Sequence, residues 1–122
     1  MAISPEYREF VLELFDPVGE VMLRRMFGGA GLFHQGLMFA LVIRETVYMK
    51  VDEVNRPDYE AAGSEPFTYD TAKGTRGVLS YFALPEGLYD DRDEAVAWAH
   101  RAIDAAFRAD AAKPPSRRKR TP

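Results

Sequence analysis

Between Arg24 and Ile43 the chain sets four glycines around a run of seven apolar residues, Leu37-Met38-Phe39-Ala40-Leu41-Val42-Ile43. Each glycine inside a helix costs about 1 kcal/mol relative to alanine, so Gly28, Gly29, Gly31 and Gly36 argue against a long helix here. The apolar run is also far short of the ~20 residues that a bilayer-spanning helix needs. What remains is a strand, and its unbroken apolar character predicts that both of its faces are covered. The glycines ahead of it predict a break or bulge in the chain, as does Gln35-Gly36, which reads as a tight turn.

The neighbouring pattern supports a sheet. Val21 to Arg25 reads as a first short strand, and Val47, Met49 and Val51 alternate with Tyr48 and Lys50 as in a half-buried one. Phe67-Thr68-Tyr69 and Gly77 to Leu84 flank Lys73-Gly74-Thr75 and read as a hairpin. Three helices complete the order. Ser4-Pro5 opens the first, with Tyr7, Phe10, Val11, Leu14 and Phe15 as its apolar stripe. Asn55 to Ala62 forms the second, closed by Gly63. Asp91 and Glu94 have capping-box spacing and open the third, which runs to about Ala111 with Val96, Ala99, Ile103, Ala106 and Phe107 facing inward, flanked by Trp98 and Ala102. The expected fold is α+β, with a mainly antiparallel sheet and the order α, three or four strands, α, two strands, α.

At 122 residues with 47% apolar content the chain suits one domain, expected over residues 1–112. The last ten residues hold Lys113, Arg117, Arg118, Lys119 and Arg120 and no acid, while the remainder carries a net charge of −8. That tail, 113–122, is proline-bearing and charged and is expected to be disordered. It has two readings, a phosphate-contacting segment or a solubilising end. The acidic body argues against nucleic acid lying across the whole surface. No basic leader precedes an apolar stretch at the N-terminus, and the expected location is cytoplasmic, with no membrane association.

Catalytic patterns are absent. With no cysteine, thiolate catalysis, disulfides and Cys-type zinc sites are excluded. Gly29-Ala30-Gly31 lacks the third glycine of a dinucleotide fingerprint and runs into a strand pattern instead of a helix. His34 and His100 have no ligand at metal spacing, and most carboxylates fall on helix caps and faces. No catalytic residue, metal ligand or cofactor is therefore expected. Arg24, Arg25, Tyr48, Lys50, Tyr69, Ser80 and Tyr81 fall on neighbouring strands. If one sheet face is open, they form a polar or anionic ligand site, a partner-docking surface, or a solvated face.

The segment Arg24-Arg25-Met26-Phe27-Gly28-Gly29-Ala30-Gly31-Leu32-Phe33, followed by Gly36, Met38, Phe39, Ala40 and Leu41, resembles the N-terminal domain of the TfoX/Sxy family. Val47 to Asp52, Pro66-Phe67-Thr68-Tyr69, Ser80-Tyr81-Phe82 with Pro85-Glu86, and Trp98-Ala99 match it in the same order. The resemblance covers about residues 6 to 107. It implies a secretion-chaperone-like α+β fold and a scaffold role for Met26, Phe27, Gly28, Gly29, Gly31 and Trp98. It also implies a non-enzymatic regulatory domain that meets protein partners, such as a transcription factor, in the control of DNA-uptake competence. Founding members of the family act with the cyclic-AMP receptor protein at promoters. Many carry a second, helical domain, whereas this chain ends ten residues after its last helix. A homodimer, through a sheet face or the alanine-rich last helix, is a further expectation.

Overall fold

The computed structural model describes residues 3–26 and 28–117. Three helices, α1 (Pro5–Leu14), α2 (Arg56–Ala61) and α3 (Arg92–Ala111), accompany six strands: β1 (Val21–Met26), β2 (Gly29–His34), β3 (Leu37–Ile43), β4 (Thr46–Lys50), β5 (Pro66–Thr71) and β6 (Gly74–Ala83). The strands form one antiparallel sheet in the order β1-β2-β3-β4-β6-β5. This is the α+β architecture and element order expected from the sequence.

Local chemistry starts each helix. The Ser4 hydroxyl accepts from the Tyr7 amide at 3.1 Å and Pro5 takes the first helical position. The Asp91 carboxylate accepts from the Glu94 amide at 3.2 Å and caps α3. Glu94 does not return the bond to Asp91, whose own amide donates to the Leu88 carbonyl. Instead a Glu94 carboxylate oxygen accepts from Trp98 Nε1 at 3.3 Å.

Cross-strand partners share a sheet face. A continuous row, Leu23–Leu32–Ala40–Met49–Phe82, therefore runs across five strands on one face. Ala30, Val42 and Val47 form the row beside it. All three helices pack here. The buried alanines of α3, Ala95, Ala99, Ala102, Ala105 and Ala106, line its inner side, which is more alanine-dominated than the periodicity predicts; Val96, Phe107 and Trp98 are only half-buried. Phe15, just after α1, meets Phe39 edge-on at 6.1 Å. From α2, Tyr59 packs on Phe82 at 5.9 Å and edge-on to Trp98 at 4.7 Å.

Two expectations are corrected. β3 is covered by helices on one face only. Its Phe39, Ala40 and Val42 are fully buried, but Met38, Leu41 and Ile43, on the opposite face, are half-buried. An apolar run thus marks a strand whose second face is sheltered by its sheet neighbours. Of the glycines expected to break or bulge the chain, Gly28 does break it, in the turn between β1 and β2, but Gly29 and Gly31 do neither. Gly29 and Gly31 sit inside β2 in unbroken register with β1. The irregularity falls on β3, where Leu32 pairs with Ala40 and Phe33 with Met38, leaving Phe39 as the extra residue.

The glycines are required by close approach. A Cβ on Gly29 would run into the Val42 carbonyl oxygen and lie 2.7 Å from Ile43 Cδ1. One on Gly31 would lie 2.7 Å from the Met38 sulfur and 3.0 Å from the Phe33 ring. Gly28 serves differently, linking β1 to β2 with φ at 78°. Phe27 lies outside the described residues.

Past β4, the Asn55 side-chain oxygen accepts from the Asp52 amide at 2.8 Å, and its amide group donates to the Lys50 carbonyl at 3.0 Å. The Asp52 carboxylate takes a forked pair of bonds from Arg108 of α3, at 2.6 and 3.0 Å. The Arg108 guanidinium holds the Asp52 carboxyl below the usual carboxylate range. The chain leaves α3 at Ala111 and makes a 3-10 turn over Pro115–Arg117; Arg118, Lys119 and Arg120 lie outside the described residues.

Two stability predictions follow from these contacts. Gly29→Ala meets a backbone carbonyl and should cost ~1–3 kcal/mol, whereas Gly31→Ala meets a flexible thioether and should cost less; Gly28→Val should cost ~1–3 kcal/mol through its positive φ. Thermal melts of the three variants check the ranking, and an unchanged melting temperature for Gly29→Ala would refute the close-approach account. For Asp52, the folded pKa lies below the unfolded value of about 3.9. Its ion-pair stabilisation is complete above that pH and is lost as pH falls through the folded value. Both groups being partly solvated, Asp52→Asn should cost ~0.5–1 kcal/mol at pH 7 and make stability less dependent on acid, as read by urea denaturation at pH 7 and pH 3.

Candidate interaction surface

Helices cover one face of the sheet, and among the described residues the other is largely uncovered. Its central row is Arg24–Gly31–Leu41–Tyr48–Ala83. Beside it stand Met22, Phe33 and Met38 at one end and the Lys50–Tyr81 pair at the other strand edge of the same end, with Ile43 and Thr46 behind. The β5–β6 ribbon extends the face. Phe67 meets Tyr48 edge-on at 5.0 Å and stacks with Tyr69 at 6.4 Å. Arg76 and Val78 are the cross-strand partners of Tyr69 and Phe67. Met22 is 63% exposed and Tyr69 47%, so apolar and aromatic groups meet solvent together.

Two cations stand over aromatic rings on this face. The Arg24 guanidinium sits 5.3 Å from the Phe33 ring centre, and Lys50 Nζ 5.1 Å from that of Tyr81. Burial, with a further push from Lys113, lowers the Lys50 pKa below its ordinary value. Burial drives the Tyr81 hydroxyl up to about 12, so it stays protonated at neutral pH. Lys50 and Tyr81 also border a cleft of about 200 Å³ with Met38, Asp110 and Lys113, at the C-terminal turn of α3. Lys113 Nζ reaches within 4.0 Å of the Asp110 carboxylate there.

The residues singled out from the sequence are divided by the fold. Arg24, Tyr48, Lys50, Tyr69 and Tyr81 share the open face. Arg25 points to the opposite side of β1, as the partner of Ala30 at the sheet edge. Ser80 sits in the 79–81 segment of β6, which has no partner on β5, and its carbonyl accepts from the Val51 amide at 2.8 Å. Met26 ends β1 opposite Gly29. Trp98 belongs to the core between α2 and α3, with Arg101 over its ring at 5.4 Å. Arg117 is exposed in the 3-10 turn beyond α3.

Several contributors to the face escape a sequence reading. Met22, Met38, Leu41 and Phe67 look like core residues, and Arg76 like one charge in a turn region. The available signal was the period-2 alternation of Phe67 with Tyr69 and of Tyr48 with Lys50, which places each pair on one side of its strand.

A second, larger cleft, about 400 Å³, lies between Phe10, Leu14 and Tyr89, rimmed by Glu13, Asp90 and Arg92. Its aromatic wall is structural: Phe10 and Tyr89 stack at 6.2 Å, and the Tyr89 hydroxyl accepts from the Val47 amide at 2.9 Å. Among the described residues no three His, Asp or Glu side chains are gathered as a metal site would require, and no helix is long and apolar enough to cross a membrane.

Comparison with known proteins places this surface in a family context. Residues 13–106 match the TfoX N-terminal domain. Over 90 residues the chain is 32% identical to a DNA transformation protein, TfoX, of Haemophilus influenzae; the match covers 72% of this chain and 42% of that protein. The chain thus aligns with less than half the length of this relative. The matched segment contains all six strands and most of α3, and on that extent the chain belongs to the TfoX N-terminal domain family.

Proposed function

We propose that the chain is a non-enzymatic regulatory domain of DNA-uptake competence that acts by docking a protein partner on the sheet face turned away from its helices. The link to competence comes from family membership and from the transformation protein it resembles. The single structural observation behind the docking reading is the composition of that face. Met22, Met38, Phe33, Leu41, Tyr48, Phe67, Tyr69 and Arg24 gather on the side of the sheet away from the helices, where among the described residues only the C-terminal turn of α3 comes near, at Met38. Protein interfaces are enriched in aromatic residues, Met and Arg and depleted in acids. A broad surface of this kind suits macromolecular docking better than capture of a small substrate, which favours an enclosing pocket.

Overproducing the chain in its own host tests the reading. Transcripts of DNA-uptake genes should rise at least tenfold with the wild-type chain and stay at baseline with a Leu41→Ser/Tyr48→Ala variant of matched abundance and matched melting temperature. No rise with the wild-type chain would remove the competence link, and an equal rise with the variant would remove the surface.

A further inference from the structure

The open face carries Arg24, Lys50 and Arg76, and none of its strand positions is an aspartate or glutamate. This is unusual for a chain whose first 112 residues hold eight more acids than cations. The acids nearest the face are engaged elsewhere. Asp52, which acts on Lys50, is bonded by Arg108; Asp110, which borders the same cleft as Lys50, lies 4.0 Å from Lys113 Nζ; and Asp70, on the other side of β5, accepts from the Thr75 hydroxyl at 2.9 Å. None of the three cations has a carboxylate within 4.0 Å among the described residues. Apolar groups are interleaved with them: Leu41 lies between Arg24 and Lys50 in the sheet, and Tyr69 is the cross-strand partner of Arg76.

Resting on the docking reading above, we propose that this face receives a segment of a different protein that presents carboxylates among apolar side chains. A second copy of this chain fits poorly, because the face carries no acid at its strand positions, so two-fold pairing with itself leaves both sets of cations unneutralised. Single-stranded nucleic acid fits poorly for another reason. Base stacking needs open ring faces, yet Arg24 covers Phe33, Lys50 covers Tyr81, and Tyr48 and Phe67 close on each other edge to face. Tyr69, 47% exposed, has one side of its ring stacked on Phe67. A carboxylate-bearing segment meets every feature: its acids pair with the three cations, and its apolar groups cover Met22, Met38 and Leu41. The six strands span about 24 Å, enough for roughly seven extended residues.

Panning a display library of random 12-residue peptides against the full chain tests this. The recovered pool should be at least twofold richer in Asp and Glu than the input. Individual peptides, followed by fluorescence anisotropy, should bind at least tenfold more weakly to Arg24→Gln/Lys50→Gln/Arg76→Gln and lose affinity when their own acids become amides. Should the triple variant melt early, Arg24→Gln and Arg76→Gln, both at exposed positions, should each weaken binding about threefold. A pool without acidic enrichment, or undiminished binding to the cation variants, overturns the proposal. So does a dT20 oligonucleotide that binds more tightly and displaces the peptides, or a light-scattering dimer that Leu41→Ser dissolves. Peptides that lose affinity with Leu41→Ser but ignore the cation variants would leave the docking surface standing and refute its acidic occupant.

Discussion

The closeness of α3 to the sheet governs the rest of the structure. Five alanines on its inner side put methyl groups, not long side chains, against Phe39, Ala40, Val42 and Met49. A helix that packs this closely leaves little free volume, and a larger side chain at Ala99 or Ala102 would have to lift the helix or strain a rotamer. The forked Arg108–Asp52 bond and the Tyr59–Trp98 contact then secure the helix to the segment after β4 and to α2. With α1 lying against the same layer, the hydrophobic helix surface is spent on one side of the sheet.

One-sided packing has a direct consequence for the second face. A sheet covered on one side ordinarily shows polar residues on the other. This one keeps Met22, Met38, Leu41 and Ile43 there, partly sheltered by cross-strand neighbours and by two cations laid over rings. The glycines belong to this arrangement. At Gly31 the absence of a side chain makes room for the Met38 thioether and the Phe33 ring, and at Gly29 it lets β3 come close enough for the Val42 carbonyl to approach the backbone. Gly29 and Gly31 are thus packing devices under the open face.

The order of elements was legible because each boundary has local chemistry: Ser4-Pro5, Asp91 with Glu94, Gly63 and Pro85. The site was legible in part. Tyr48 and Lys50, or Phe67 and Tyr69, declare a shared side through period 2. Arg24 and Arg25 look like a pair in sequence, yet adjacent strand residues point opposite ways, so only Arg24 reaches the face. The extra residue at Phe39 was illegible. A bulge inverts the alternation beyond it, and an unbroken apolar run shows no polar residue to reveal the inversion. Arg76 was missed for a topological reason: only the pairing of β5 with β6, and of β6 with β4, carries it to the side of Tyr48.

Charge adds the last constraint on what the face can do. The body is acidic overall, so its long-range field repels the anionic partners that three local cations would hold at contact. The proposed docking of an acidic segment would then depend on short-range desolvated pairing and apolar cover, which screening by salt weakens less than distant attraction. Such a balance gives modest on-rates and makes affinity sensitive to the fit of the apolar residues between the charges. Leu41 lies in the middle of the central row, with Arg24 at one end and Lys50 in the adjoining row, the position at which the proposed docking would test that fit.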